Sequence, residues 1–169
     1  MKNISYSILF FFIFFLTNVQ ASNKIVFVDI DYLINNSTFG KKIIKKIETE
    51  DKKNVEILRS REISLKKVED EIKKKKNIIS DQELQKEINL LKKNIKEFKS
   101  EKNTLVKNFT QFKNDQLNTV LLEFNKIIKD YMAKNSIDIV FDKKNIYIGK
   151  SSNDITQNIL EEIENRLNE

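Results

Sequence analysis

The chain has 169 residues, a net charge of +6 and 33% charged side chains, and it holds no His, Cys, Trp or Pro and only two glycines, Gly40 and Gly149. Without His or Cys there is no imidazole base, thiol nucleophile or soft metal ligand, and two isolated glycines make no phosphate-cradling loop, so an ATPase is excluded, an enzyme is the weakest class and no cofactor is expected. Near freedom from helix breakers favours long helices, and the basic balance favours anionic partners.

The first residues, MKNISYSILFFFIFFLTNVQAS, read as a signal peptide over 1–21. A short n-region with Lys2 precedes an apolar run from about Ile8 to Leu16, and Val19 and Ala21 occupy the small-residue positions of a cleavage site. The run falls well short of the roughly 20 residues that span a bilayer. The mature chain is expected to begin at Ser22 and to be exported.

Ile25 to Val28 is a β-branched and aromatic run suited to a strand. Asp29 then turns the chain into a short helix carrying Tyr32, Leu33 and Ile34. Strand partners are expected only near the other terminus, where IDIVFD alternates with Ile137, Ile139 and Phe141 on one face and Asp138, Val140 and Asp142 on the other. KKN is expected to turn this strand into a hairpin through Ile146 and Ile148, ending at Gly149. A last helix follows, capped by Asp154 with Gln157 at N3, and its apolar stripe is Ile155, Ile159, Ile163 and Leu167. Ile25, Phe27, Ile137, Ile139, Phe141, Ile146 and Ile148 are the expected body core and oligomer interface.

Between the ends, 41–135 holds no proline and no glycine. Spacings of four and three pick out Ile44, Ile47, Asp51, Asn54, Leu58, Arg61, Leu65, Val68, Ile72, Lys75 and Ile79, a seam interrupted by polar residues. The same rhythm resumes with Leu84, Ile88, Leu91, Ile95, Phe98, Lys102, Leu105, Phe109 and Phe112. At the break, Ser80 and Glu83 form a capping box, so the helix is expected to reverse near Asn77 to Ser80 and zip back as an antiparallel hairpin. Further on, Leu117, Val120, Leu121, Phe124, Ile127, Ile128 and Tyr131 widen the stripe, which predicts burial of that end in the body. The fold class is α+β: a small strand-and-helix body from 22–40 and 136–169, with a helical hairpin arm, 41–135, inserted between its halves.

The positive excess lies on the arm, and the last segment is acidic. At the tip stand Lys73, Lys74, Lys75 and Lys76. Lys66, Lys67, Lys92, Lys93, Lys96 and Lys99 extend a basic surface suited to anionic clients.

The order of these pieces resembles the OmpH-like family, the periplasmic Skp chaperones. The resemblance rests on the S-x-x-G-K turn of Ser37, Gly40 and Lys41, the long basic hairpin, and the closing block with D-x-V-x-D at Asp138 to Asp142 and D-I-T at Asp154 to Thr156. It implies a homotrimer with a shared β-body and three projecting hairpins around a cavity. It further implies an ATP-independent periplasmic holdase for unfolded outer-membrane proteins, and the same lysines suit contact with anionic lipid headgroups. The residues alone also fit a periplasmic coiled-coil spacer or adaptor. Nucleic acid is not an expected partner, because export and the lack of any DNA or RNA motif argue against it.

Overall fold

The computed structural model describes residues 23–167, so the expected signal peptide lies outside the described residues. The elements are β1 (Ile25–Val28), α1 (Ile30–Asn36), α2 (Thr38–Lys75), α3 (Asp81–Lys134), β2 (Ile139–Asp142), two 3-10 turns at Lys143–Asn145 and Ser151–Asn153, and α4 (Thr156–Leu167). The α+β class is the one expected from the sequence: a two-stranded sheet sits at the ends of the chain with long helices between.

β1 and β2 pair in parallel, Ile25 opposite Ile139 through Val28 opposite Asp142, so the whole helical arm is the crossover connection. Around the sheet, Lys24 donates its backbone N–H to the Asp138 carboxylate at 2.7 Å. On the other edge of β1, Ile155 N–H donates to the Phe27 carbonyl at 2.9 Å. β1 therefore has a hydrogen-bonded neighbour on each edge, β2 on one and an isolated bridge to Asp154 on the other. Val26 and Val28 point into a core built with Leu33, Val120, Phe124, Ile127, Ile128, Ile155, Ile159 and Ile163. The wide stripe at the end of α3 and the every-fourth stripe of α4 supply most of this core, as expected.

Two expectations about the sheet are corrected. Ile146 to Ile148 forms no strand among the described residues; Tyr147 and Ile148 are instead fully or almost fully exposed. The reason is local: the Asp142 carboxylate accepts from Lys144 N–H at 3.2 Å, and Lys143 reaches Asp154 at 2.9 Å. These bonds draw the chain across β1, and a Cβ on Gly149 would come within 2.7 Å of the Phe27 ring. The second correction concerns the core. Phe27 and Ile137 are buried, but Ile25, Ile139 and Phe141 are 44%, 41% and 44% exposed, and Ile146 is half-buried. Alternation places these side chains opposite Val26, Val28 and Val140, and the helices cover only the valine face. Ile137 precedes β2 and belongs to the turn, so it escapes the alternation.

The corners are set by caps. Asp29 accepts from Tyr32 N–H at 2.8 Å and starts α1. Ser37 is fully buried and accepts from Gly40 N–H at 3.0 Å to start α2. A Cβ at Gly40 would lie 2.0 Å from the Ile34 carbonyl oxygen, so the S-x-x-G spacing records how closely α1 and α2 meet. At the far end of α3, Ser136 has φ 50°, and Ile137 N–H donates to the Met132 carbonyl at 3.0 Å, the bond that closes a left-handed helix terminus.

Candidate functional site

The arm is built from helices of 38 and 54 residues. At 1.5 Å per residue α2 alone runs about 57 Å. Reversal occurs where expected: α2 ends at Lys75, and Ser80 accepts from Glu83 N–H at 3.3 Å to start α3. The Glu83 carboxylate returns to the Ser80 hydroxyl at 3.1 Å. The predicted seam is the contact line between the helices. Leu58, Leu65, Val68, Leu84, Ile88, Leu91 and Phe98 are half-buried along it, and Ile72 is buried. Two polar interruptions are bridged across it, Arg61 to Glu101 at 3.9 Å and Lys75 to Glu87 at 3.1 Å. Much of the rest of the outer arm faces solvent, including Val55, Ile63, Leu90 and Val106, with Ile78 at the tip 82% exposed.

All ten lysines of the basic surface are exposed. Lys73 is held by Glu69 at 2.8 Å and Asp70 at 3.7 Å, and the Glu69 hydrogen bond raises its pKa above the ordinary lysine value. Lys93 reaches Glu97 at 3.9 Å. Lys66, Lys67, Lys74, Lys76, Lys92, Lys96 and Lys99 carry no ion pair among the described residues. Lys66 and Lys99 meet at one groove, with Lys102, over Leu65, Leu91, Ile95 and Phe98. Lys67 and Lys74 are not brought to that groove. Spacing alone puts Lys102 on the seam, and the crossing of the two helices brings it to the groove's edge.

A second charged cluster belongs to the body. Lys143 lies between Asp154 at 2.9 Å and Asp29 at 3.9 Å, and the Asp154 hydrogen bond raises its pKa. Burial pushes the Asp154 carboxyl up, but hydrogen bonds from Thr156 and Lys143 outweigh it and leave the pKa lowered. The cluster borders a shallow hollow with Tyr32, Ser151 and Gln157. Its hydrogen bonds hold the start of α4 against β1, since Asp29 N–H also donates to the Thr156 hydroxyl at 2.9 Å. Among the described residues no group of acidic side chains is gathered so as to hold a metal ion.

The comparisons with known proteins bear on this arrangement of a small body and a long, solvent-exposed arm. A model of the family described as "Outer membrane protein (OmpH-like)" matches residues 24–163. The chain belongs to the OmpH-like family. The match spans both halves of the body and the whole arm. Among solved structures, the chain is similar to a candidate OmpH-like outer membrane chaperone from Caulobacter crescentus, with a TM-score of 0.78, 16% identity and 86% of each chain covered. At that identity the likeness establishes the fold. No curated protein matches the sequence.

Proposed function

We propose that this OmpH-like protein is an ATP-independent holdase chaperone of the periplasm, which takes up unfolded outer-membrane proteins before they insert. The observation that carries the proposal is the arm: two long helices share one narrow seam and keep most of their surface, charged and apolar, in water. Such a surface offers many weak contacts, and holding an unfolded chain needs no nucleotide. The family and the chaperone named in the Caulobacter structure support the same role.

In this reading residues 1–21 are removed on export, and the body 22–40 and 136–169 assembles three copies with the arms, 41–135, around a cavity. The exposed strip of Ile25, Ile139 and Phe141 favours assembly, because three large apolar side chains on one sheet face are costly to leave in water. The protein acts by binding alone. Lipid headgroups would meet the same lysines.

The test is aggregation of a urea-unfolded outer-membrane barrel protein diluted into buffer without ATP, followed by light scattering. Suppression near one trimer per barrel is expected. Full aggregation at tenfold excess, on the order of the ratios at which weak binders still act, would leave a spacer role instead.

A further inference from the structure

The two flanks of the arm differ in charge. Labelling the seam residues a and d, as for Leu58 and Arg61, puts the basic residues of the middle of α2 in a strict repeat of seven. Lys45, Lys52, Arg59, Lys66 and Lys73 fall at b. Glu48, Val55, Glu62 and Glu69 fall at e, on the same flank, between the b row and the seam. The facing e row of α3 is Lys113, Val106, Lys99 and Lys92, and Lys96 stands beside it at b. In an antiparallel hairpin e meets e, so all of these line one flank. The groove described above confirms the geometry: it gathers Glu62, Lys66 and Glu69 from α2 with Lys99 from α3.

The other flank carries the g rows, Glu50 and Glu71 from α2 and Glu87, Glu101 and Asp115 from α3. A groove there is lined by Glu71, Glu87 and Lys75 around Val68, Ile72 and Leu90. Beside the seam its cations are paired, Lys75 to Glu87, Arg61 to Glu101 and Lys53 to Glu50 at 3.7 Å, which leaves Lys67 and Lys74 of the c row without an ion pair among the described residues. Lys46 lies 5.8 Å from the centre of the Phe112 ring. On the b/e flank the unpaired cations are more numerous, because among the described residues only Lys73 of its basic side chains is in an ion pair.

We infer that the b/e flank is the docking face of the arm and that its occupant is an unfolded polypeptide segment carrying carboxylates among apolar side chains. This rests on the chaperone reading and says which side of the arm performs it. Unpaired cations at about 10.5 Å intervals attract carboxylates without first breaking an internal pair. Between them Leu65, Leu91, Ile95 and Phe98 receive apolar side chains. The interspersed Glu62 and Glu69 disfavour a uniform polyanion such as nucleic acid or polyphosphate, and they give a polypeptide's own amides and lysines something to meet.

The experiment compares two triple variants of equal net charge on the full protein. Lys52→Gln, Lys66→Gln and Lys99→Gln strip the b/e flank, while Lys53→Gln, Lys67→Gln and Lys74→Gln strip the neighbouring c row of the other. All six side chains are exposed, so both variants are expected to melt like the parent. Affinity for a labelled, unfolded, acidic barrel protein should fall about tenfold or more in the first and less than about twofold in the second, with a shallower salt dependence only in the first. Equal losses overturn the inference. Because the chain has no cysteine, Val55→Cys and Ile57→Cys can each carry a photo-crosslinker, and the client should be trapped from Val55. Equal trapping from Ile57 overturns it as well. Polyphosphate that displaces the client at equivalent charge would mark a general polyanion field and likewise overturn it. Flank-selective trapping by a protein that nevertheless fails to suppress aggregation would sink the holdase reading alone.

Discussion

Body and arm place the same kinds of apolar side chain under different conditions. In the body Leu33, Val120, Phe124, Ile159 and Ile163 are all at 0% exposure, because helices converge on the sheet from α1, α3 and α4. Along the arm beyond the first turn of α2, Ile72 is the one buried side chain of that helix. Two helices enclose a line, whereas a third layer encloses a volume. Stability is therefore concentrated at one end, and the far end is free to open locally and to adapt its surface.

The largest expected effect tests that contrast directly. Phe124→Ala should cost about 3–5 kcal/mol and lower the melting temperature of the whole protein, because the site is enclosed on all sides and packs against Phe39 with ring centres 6.5 Å apart. Ile72→Ala should leave that temperature within a few degrees and act on hydrogen exchange of the arm alone. If both substitutions lower the global transition equally, the arm and body form one cooperative unit. Next in size is Gly40→Ala. Its methyl meets backbone, the Ile34 carbonyl, which cannot swing aside, so about 1–3 kcal/mol should be lost by thermal or urea denaturation.

How much of this was legible in the sequence follows from how local each feature is. The seam and the reversal at Ser80 were readable because four-three spacing and a capping box are properties of neighbouring residues. The strand pair was readable because IVFV had no other apolar partner. Which face of the sheet would be covered was not readable. Ile25 and Ile139 are as apolar as Val26 and Val28, and the choice is made by the end of α3 and by α4, whose core residues, from Val120 onward, lie more than 90 residues beyond β1. The hairpin at Ile146 to Ile148 failed for a related reason: a β-branched run predicts strand propensity, but the Lys143–Asp154 pair directs the chain elsewhere. In the basic patch, residue type was readable from the sequence, while the sorting of lysines to opposite flanks needed the crossing of the two helices.

A smaller effect sharpens the contrast from the body's surface. The Asp154 pKa is lowered in the folded protein, so its contribution is present above the unfolded aspartate value, near 4, and is lost as pH falls through the lower folded value. Asp154→Ala should cost about 1 kcal/mol at pH 7, since Thr156 N–H loses its acceptor at 3.0 Å. The gap between variant and parent should narrow below about pH 4 in denaturation series. A gap that stays constant to pH 2 would show that the carboxylate charge plays no part.

The smallest expected effect is a gain, and it sits at the junction between the two regions. Ser136 is the first residue after the arm returns, and its φ of 50° is the left-handed conformation that a side chain disfavours. The turn nevertheless closes properly: Asn135 N–H reaches the Tyr131 carbonyl at 3.1 Å, and Ile137 N–H reaches Met132. Nothing in this geometry uses the serine hydroxyl, which enters none of the side-chain hydrogen bonds around the turn, whereas the Asn135 side chain donates to the Tyr131 carbonyl at 2.8 Å. Ser136→Gly should therefore remove backbone strain in the folded state, partly offset by the greater freedom of glycine in the unfolded chain. A net gain below about 1 kcal/mol is expected, visible as a rise of a few degrees in melting temperature. Ser136→Val, which the left-handed region tolerates poorly, should move it the other way. If glycine and valine shift the temperature alike, the turn is not held in this conformation in solution, and the entry of Ile137 into the core is set by the sheet instead.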